Sequence, residues 1–202
     1  MKYLLLLITF SGFLKASTGQ LTNKTWLVGG SGSLYSYTEN YNTPNFTVQY
    51  KYSDVNALAS IGHFLADKFV AGIRPSFSLI KGHSTGSSGG VGGGSTHTIR
   101  YAIGPFARYY FLKADNTYNL LTDVSYQIGI NKYLGALHEK GKYNTFSIMG
   151  GTEIFFNTVA GLEILLGYTQ KITSIENSPG EFNSNKRGFQ ASIGFQLHLE
   201  KE

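Results

Sequence analysis

Hydrophobic and polar residues alternate with a period of two along most of this chain, and after residue 20 no stretch carries a helical repeat of useful length. Such alternation marks strands with one apolar and one polar face, because successive side chains leave a strand on opposite sides. Eight segments carry it, at 24–37, 53–65, 69–80, 98–111, 118–131, 144–156, 159–172 and 187–199, each about long enough to cross a bilayer when tilted. Residues 66–68, 112–117 and 157–158 are short links between them, whereas 38–52, 81–97, 132–143 and 173–186 are long. An even number of strands with short turns at one end and long loops at the other predicts an all-β fold. The form expected is an eight-stranded antiparallel up-and-down transmembrane β-barrel with both termini on the short-turn side.

Parity along each segment separates the two faces. Ile99, Tyr101, Ile103, Ala107, Tyr109 and Phe111 share one face of the fourth, and Arg100, Gly104, Arg108 and Tyr110 the other. In the fifth, Leu120, Val124, Tyr126, Ile128 and Ile130 oppose Asn119, Asp123, Ser125, Gln127 and Asn131. The seventh sets Leu162, Ile164 and Leu166 against Glu163, Gly167 and Lys171, and the eighth sets Phe189, Ile193, Phe195 and Leu197 against Gln190, Gly194, Gln196 and His198. A soluble barrel or sandwich also alternates, but it buries the apolar face and shows water the polar one. Here the polar faces are rich in Gly, Ser, Thr and Gln rather than Lys and Glu, and aromatic residues gather near segment ends as interfacial girdles do. The apolar faces are therefore expected to look outward into hydrocarbon and the polar ones inward.

Two places strain this pattern. Pro75 and Pro105 fall inside predicted strands, where each removes a ladder donor, so a bulge is expected at both. Residues 46–52 alternate in the opposite phase to 55–65, so either a bulge near Ser53 resets the register or 46–52 belongs to a loop.

Composition agrees with an unusual solvent. Only 14% of the 202 residues are charged, against ~25% in typical soluble domains, while Tyr and Phe each number 14. Nothing marks a boundary between domains, so one domain is expected after the leader. Met1-Lys2-Tyr3, the apolar run from Leu4 to Ile8 and the small residues Ala16 to Gly19 form the charge, apolar and small-residue order of a secretory signal peptide. Residues 1–19 are read as that signal and 20–202 as the barrel. Loss of Lys2 and Lys15 lowers the net charge from +5 to about +3, which does not imply nucleic acid. The absence of Cys excludes a lipidated cysteine, disulfides and thiolate metal sites.

The segments Ile61-Gly62-His63-Phe64-Leu65-Ala66-Asp67-Lys68-Phe69-Val70-Ala71-Gly72 and Gly104-Pro105-Phe106-Ala107-Arg108-Tyr109-Tyr110-Phe111 resemble the outer membrane protein β-barrel domain family. A "GYF" strand end, an "ADK" turn and a "GPFxRYY" strand recur there, with His63 standing here where Tyr is usual. The resemblance implies an architecture like the small OmpA and OmpX barrels and no shared catalytic residues.

Counted from the short turns, Arg74, Arg108, Asp123, Glu153 and Glu163 all point inward within about three to five residues of one end, close to one level at ~3.3 Å per residue. A barrel of eight strands is only wide enough for side chains to fill, so the five are expected to form a plug of charge-assisted hydrogen bonds. A proton or ion path through the same residues is the functional alternative. Arg100 and Lys171 lie inward nearer the other end, with loop residues such as Glu139 or anionic lipid headgroups as their expected partners.

The glycines between Lys81 and His97 lack the Gly-Lys-Ser/Thr ending of a phosphate loop and read as a flexible surface loop. His83, His97 and His138 have no spacing that demands a metal, and His63, the only base on the apolar parity, has no Ser beside it to complete a hydrolase triad. No catalytic residue, metal or cofactor is expected. The expected role is a non-enzymatic barrel of a Gram-negative outer membrane, structural or presenting outer loops to an unidentified surface or periplasmic partner, with lipid around it. A solute or ion conduit and an enzyme acting on lipid A are the alternatives.

Overall fold

The computed structural model describes residues 21–42, 47–87, 94–134, 140–175 and 182–200. The predicted signal peptide, His138 and Glu139 lie outside them. Ten strands occur in chain order: β1 Thr25–Asn42, β2 Thr47–Ala66, β3 Phe69–Ile73, β4 Ser76–Ser87, β5 Ser95–Ile103, β6 Pro105–Tyr110, β7 Tyr118–Leu134, β8 Lys140–Phe155, β9 Ala160–Ile175 and β10 Phe182–Glu200. β3 with β4, and β5 with β6, are single staves of the wall, each interrupted once, so the sheet is a closed antiparallel barrel of eight staves.

The interruptions fall at the two prolines, but no residue is inserted at either. Ile61 pairs with Ile73 and Leu58 with Ser76, and Ile103 pairs with Ile128 and Phe106 with Ser125, so the register is the same above and below each break. The expected bulges are therefore replaced by short gaps in the ladder. Backbone bonds from Ala59 N to the Pro75 carbonyl, 2.9 Å, and from Arg74 N to the Gly104 carbonyl, 2.8 Å, span them. The register shift that does occur lies between Phe64 and Ala66, at the turn where Lys68 adopts φ 67°.

β2 resolves the second strain. It pairs without a shift to β1, from Trp26↔His63 to Asn42↔Thr47, so residues 47–52 are strand and no bulge lies near Ser53. Lys51 and Ser53 are exposed while Tyr52 and Asp54 are half-buried. Polarity inverts along the strand, but geometry does not.

The same extension occurs in the other stretches expected to be long loops. Lys81, Gly82 and His83 pair with His97, Thr96 and Ser95, Lys132 pairs with Lys140, and Phe182 pairs with Ile175. Most of each expected loop is thus paired hairpin, and the tips lie outside the described residues.

Outward positions carry the apolar residues. Ile103, Leu166 and Ile193 are 55%, 65% and 61% exposed, whereas Arg108 and Glu163 are 1% and 4% exposed inside. The apolar face thus lies on the outside of the wall and is not packed into the interior. The interior is not uniformly polar, however. Leu27, Phe64, Val70, Tyr110, Leu121 and Phe155 fill the short-turn end, with Leu21 packed among them. This apolar floor was not anticipated, and it closes the barrel beneath the charges.

The wall closes between β1 and β10 by pairs from Thr25↔Glu200 to Ser31↔Gly194 only. Above Ser31, among the described residues, β1 pairs with β2 and β10 with β9.

Candidate functional site

The five inward charges predicted near the short-turn end meet in one connected network. Arg74 occupies the gap between β3 and β4, where Gln127 Nε2 donates to its carbonyl oxygen at 2.8 Å. The Arg74 guanidinium grips Asp123 with two parallel bonds, Nη1 to Oδ1 at 2.6 Å and Nη2 to Oδ2 at 2.8 Å, and its Nε donates to Ser60 Oγ at 3.0 Å. The Phe106 ring lies 4.3 Å below the guanidinium. Planar, bidentate pairing of this kind suits Arg rather than Lys.

Asp123 also accepts from Arg108 Nε at 3.0 Å, so one carboxylate joins both guanidinium groups. Arg108 and Asp123 are cross-strand partners, which places them at one level. Arg108 continues the chain in two directions. Its Nη2 forms an ion pair with Glu163 Oε2 at 2.8 Å, and its Nη1 reaches the Tyr110 hydroxyl at 3.4 Å.

Glu153 takes a different set of partners from the one expected. It sits directly across from Glu163 on the adjacent strand, an unfavourable placement for two carboxylates unless each has its own cation or donor. Tyr110 Oη donates to Glu153 Oε2 at 2.6 Å, and His198 Nε2 donates to Oε1 at 2.7 Å. Arg108 therefore reaches Glu153 only through Tyr110. Gly161 makes the space: a Cβ there would stand 2.3 Å from Glu153 Oε1.

His198 and Tyr110 are the members that reading the sequence missed. Both lay on the inward parity, but the count there considered only carboxylates and strong cations. Phe155 meets the His198 ring edge-on at 5.3 Å and Phe64 stacks on Tyr110 at 6.0 Å, so the same residues form the roof of the apolar floor and the base of the charge network.

Above the network lies a cavity of about 120 Å³ lined mostly by hydroxyl and amide side chains, including Ser125, Gln127, Thr145, Ser147 and Thr169. Higher still are Arg100 and Lys171. Their carboxylate neighbour in the strands is Asp54 on β2, whose charge both cations influence. It was missed because the inverted polarity of 46–52 left the phase of β2 ambiguous there. Lys171 Nζ stands 3.8 Å over the Tyr143 ring. Glu139, the partner expected for these cations, lies outside the described residues.

The remaining candidates do not assemble. His63 faces outward beside Trp26, ring to ring at 5.0 Å. His83 is exposed with Nδ1 3.3 Å from Ser95 Oγ, and among the described residues no three His, Asp or Glu side chains gather as metal ligands. The interior thus holds a connected salt network.

No protein-family model and no curated protein sequence matches this chain.

Proposed function

We propose that this chain is an outer-membrane β-barrel of a Gram-negative bacterium, exported by a signal in residues 1–19. Its role is structural or surface-interacting, without catalysis, and it belongs with the family of outer-membrane β-barrel domains that its "GPFARYY" strand resembles. The observation that carries this reading is where the exposed apolar surface stops. On the outside of the wall Val55 gives way to Ser53, Leu79 to Lys81, Ile99 to His97, Ile130 to Lys132 and Phe189 to Arg187. Ser53, Lys81 and His97 are successive cross-strand partners, so on these three staves the change occurs at one register, while Leu134, the next partner on β7, and Ile172 on β9 remain apolar and exposed.

Below that level the wall is apolar down to Trp26, Phe111, Tyr118 and Leu199 at the short-turn end. On β7 the outward positions from Tyr118 to Ile130 span roughly 30 Å at ~3.4 Å per residue on a strand tilted by about 40°, comparable to the ~25 Å apolar band of such barrels. Soluble monomers rarely expose contiguous apolar patches beyond a few hundred Å². Water on this surface would be costly, and hydrocarbon would not.

The apolar floor and the network above it favour a filled scaffold over a conduit, since Leu27, Phe64, Val70 and Phe155 are fully buried across the lumen. The paired hairpins then rise past the apolar band on the side away from the short turns.

Trp26 is the only tryptophan and faces outward. In vesicles made with lipids brominated near the headgroup, its fluorescence should fall strongly, and unchanged emission would contradict membrane insertion. Planar-bilayer recording should show no steady conductance steps; regular steps would replace the filled scaffold with a conduit. Mass spectrometry of lipid A from cells with and without the protein should show identical species, and an altered one would favour a lipid-modifying enzyme.

A further inference from the structure

Buried polar groups in folded proteins are almost all hydrogen-bonded, because leaving one unmade forfeits its hydration without return. The lower interior departs from it only at Gln196 Oε1 and at Glu163 Oε2, which has no hydrogen bond but lies 2.8 Å from Arg108 Nη2 in an ion pair. The upper interior breaks it at a group of side chains with no ion pair to compensate. Asn131 is fully buried, and neither its carbonyl oxygen nor its amide nitrogen has a hydrogen-bond partner. Its cross-strand neighbour is Arg100, whose Nε is likewise buried without a partner. Across the lumen the Asp54 Oδ1 is in the same condition.

These atoms belong to side chains that converge from different staves. Arg100 comes from β5, Asn131 from β7, Lys171 from β9 and Asp54 from β2. Arg100 and Lys171 both act on the Asp54 charge, yet neither closes an ion pair with it. Two cations against one carboxylate leave an excess positive charge around unfilled donors. The polar cavity begins directly beneath: Thr145 and Thr169 line it, one inward position below Tyr143 and Lys171 on their own strands.

We propose that Arg100, Asn131 and Lys171 form a binding site for a small oxyanion in the upper interior of the barrel, with Asp54 accepting a hydrogen bond from the same ligand. The unmade donors at Arg100 and Asn131, with the Lys171 ammonium, call for a group rich in acceptor oxygens. The unmade acceptors at Asp54 and Asn131 call for at least one O–H on it. A phosphate monoester or hydrogen phosphate meets both demands, whereas a simple cation would engage only the two acceptor oxygens and leave the Arg100 and Asn131 donors unmet. Asp54 moderates the positive charge and selects a protonated oxyanion over a bare acceptor. The site is independent of the salt network below, which has no free cationic donor of this kind.

The test is calorimetric titration of the full chain, folded in detergent, with inorganic phosphate and, in a second arm, with phosphatidic acid in mixed micelles. Saturable binding of inorganic phosphate indicates a soluble ligand, and binding of phosphatidic acid alone indicates a lipid-borne phosphate; both support the site. Arg100→Met and Lys171→Met should each weaken binding about tenfold or more, as expected for loss of a charge-assisted hydrogen bond. Asn131→Leu removes the orphaned amide without adding charge and should keep the barrel folded while binding weakens several-fold. Asp54→Asn keeps an acceptor but removes the opposing charge, so phosphate should bind more tightly. No binding in either arm would overturn the proposal, as would binding that survives in folded Arg100→Met and Lys171→Met proteins.

Discussion

The two ends of the barrel interior treat charge in opposite ways. At the short-turn end Arg74, Arg108, Asp123, Glu153 and Glu163 form a connected network completed by Tyr110 and His198 and seated on an apolar floor. At the far end Arg100, Lys171 and Asp54 stand around the lumen without closing on one another, and the Asn131 side chain makes no hydrogen bond. Complete pairing is what stability requires of buried charge, since removing one partner leaves the other desolvated and alone. Incomplete pairing signals a place kept open for something else. The lower interior reads as construction and the upper interior as a receptacle, even though both are built from the same inward positions of the same staves.

Several substitutions would break or sharpen that contrast. The largest effect belongs to Asp123→Ala, which leaves two guanidinium groups facing each other and should cost about 3–5 kcal/mol. It would appear as a lower temperature for loss of the detergent-resistant folded band. Asp54→Ala in the upper interior should change the same temperature little, and comparable losses from the two would erase the distinction.

Arg108→Ala comes next, at roughly 3 kcal/mol, because Glu163 loses its ion-pair partner while Glu153 keeps Tyr110 and His198. Pairing it with Glu163→Gln should recover part of the loss in a double-mutant cycle; strictly additive losses would show that the pair is not coupled. Gly161→Ala presses a methyl group into the Glu153 carboxylate and should cost about 1–3 kcal/mol by the same thermal assay. The smallest effect is expected from Asn131→Leu, within about 1 kcal/mol of the natural protein and on the stabilising side, since it replaces an unsatisfied buried amide by an apolar group. A large loss there would mean that Asn131 is structural.

How much of this was readable in advance follows from where period-two alternation applies. Ile128, Leu166 and Ile193 look outward and Arg108, Asp123 and Glu163 inward because a pleated strand offers no other choice once one face is apolar, and the eight staves and the five-membered cluster came from that alone. Strand ends were misread for the same reason. Above Ser53 and Lys81 the outer face becomes polar, so the alternation fades although the ladder continues, and 38–42, 47–52 and 81–87 looked like loop.

The prolines misled in a different way. A missing ladder donor argues for a bulge, but here Ala59 N still donates to the Pro75 carbonyl and the register held. The floor was invisible because Leu27, Phe64 and Val70 occupy inward positions that the alternation alone would assign to polar residues. His198 and Tyr110 escaped because pairing across the lumen depends on tilt and stagger, which a linear count of levels does not contain.

The claim on which the rest depends is that the outward apolar band contacts hydrocarbon. Spin labels placed singly at positions 164, 165 and 166, in a chain that has no native cysteine, address it directly in vesicles. Labels at 164 and 166 should collide readily with dissolved oxygen and scarcely with a water-soluble nickel chelate, while the label at 165 collides with neither. Equal access of the chelate to 164, 166 and the exposed position 51 would contradict the account.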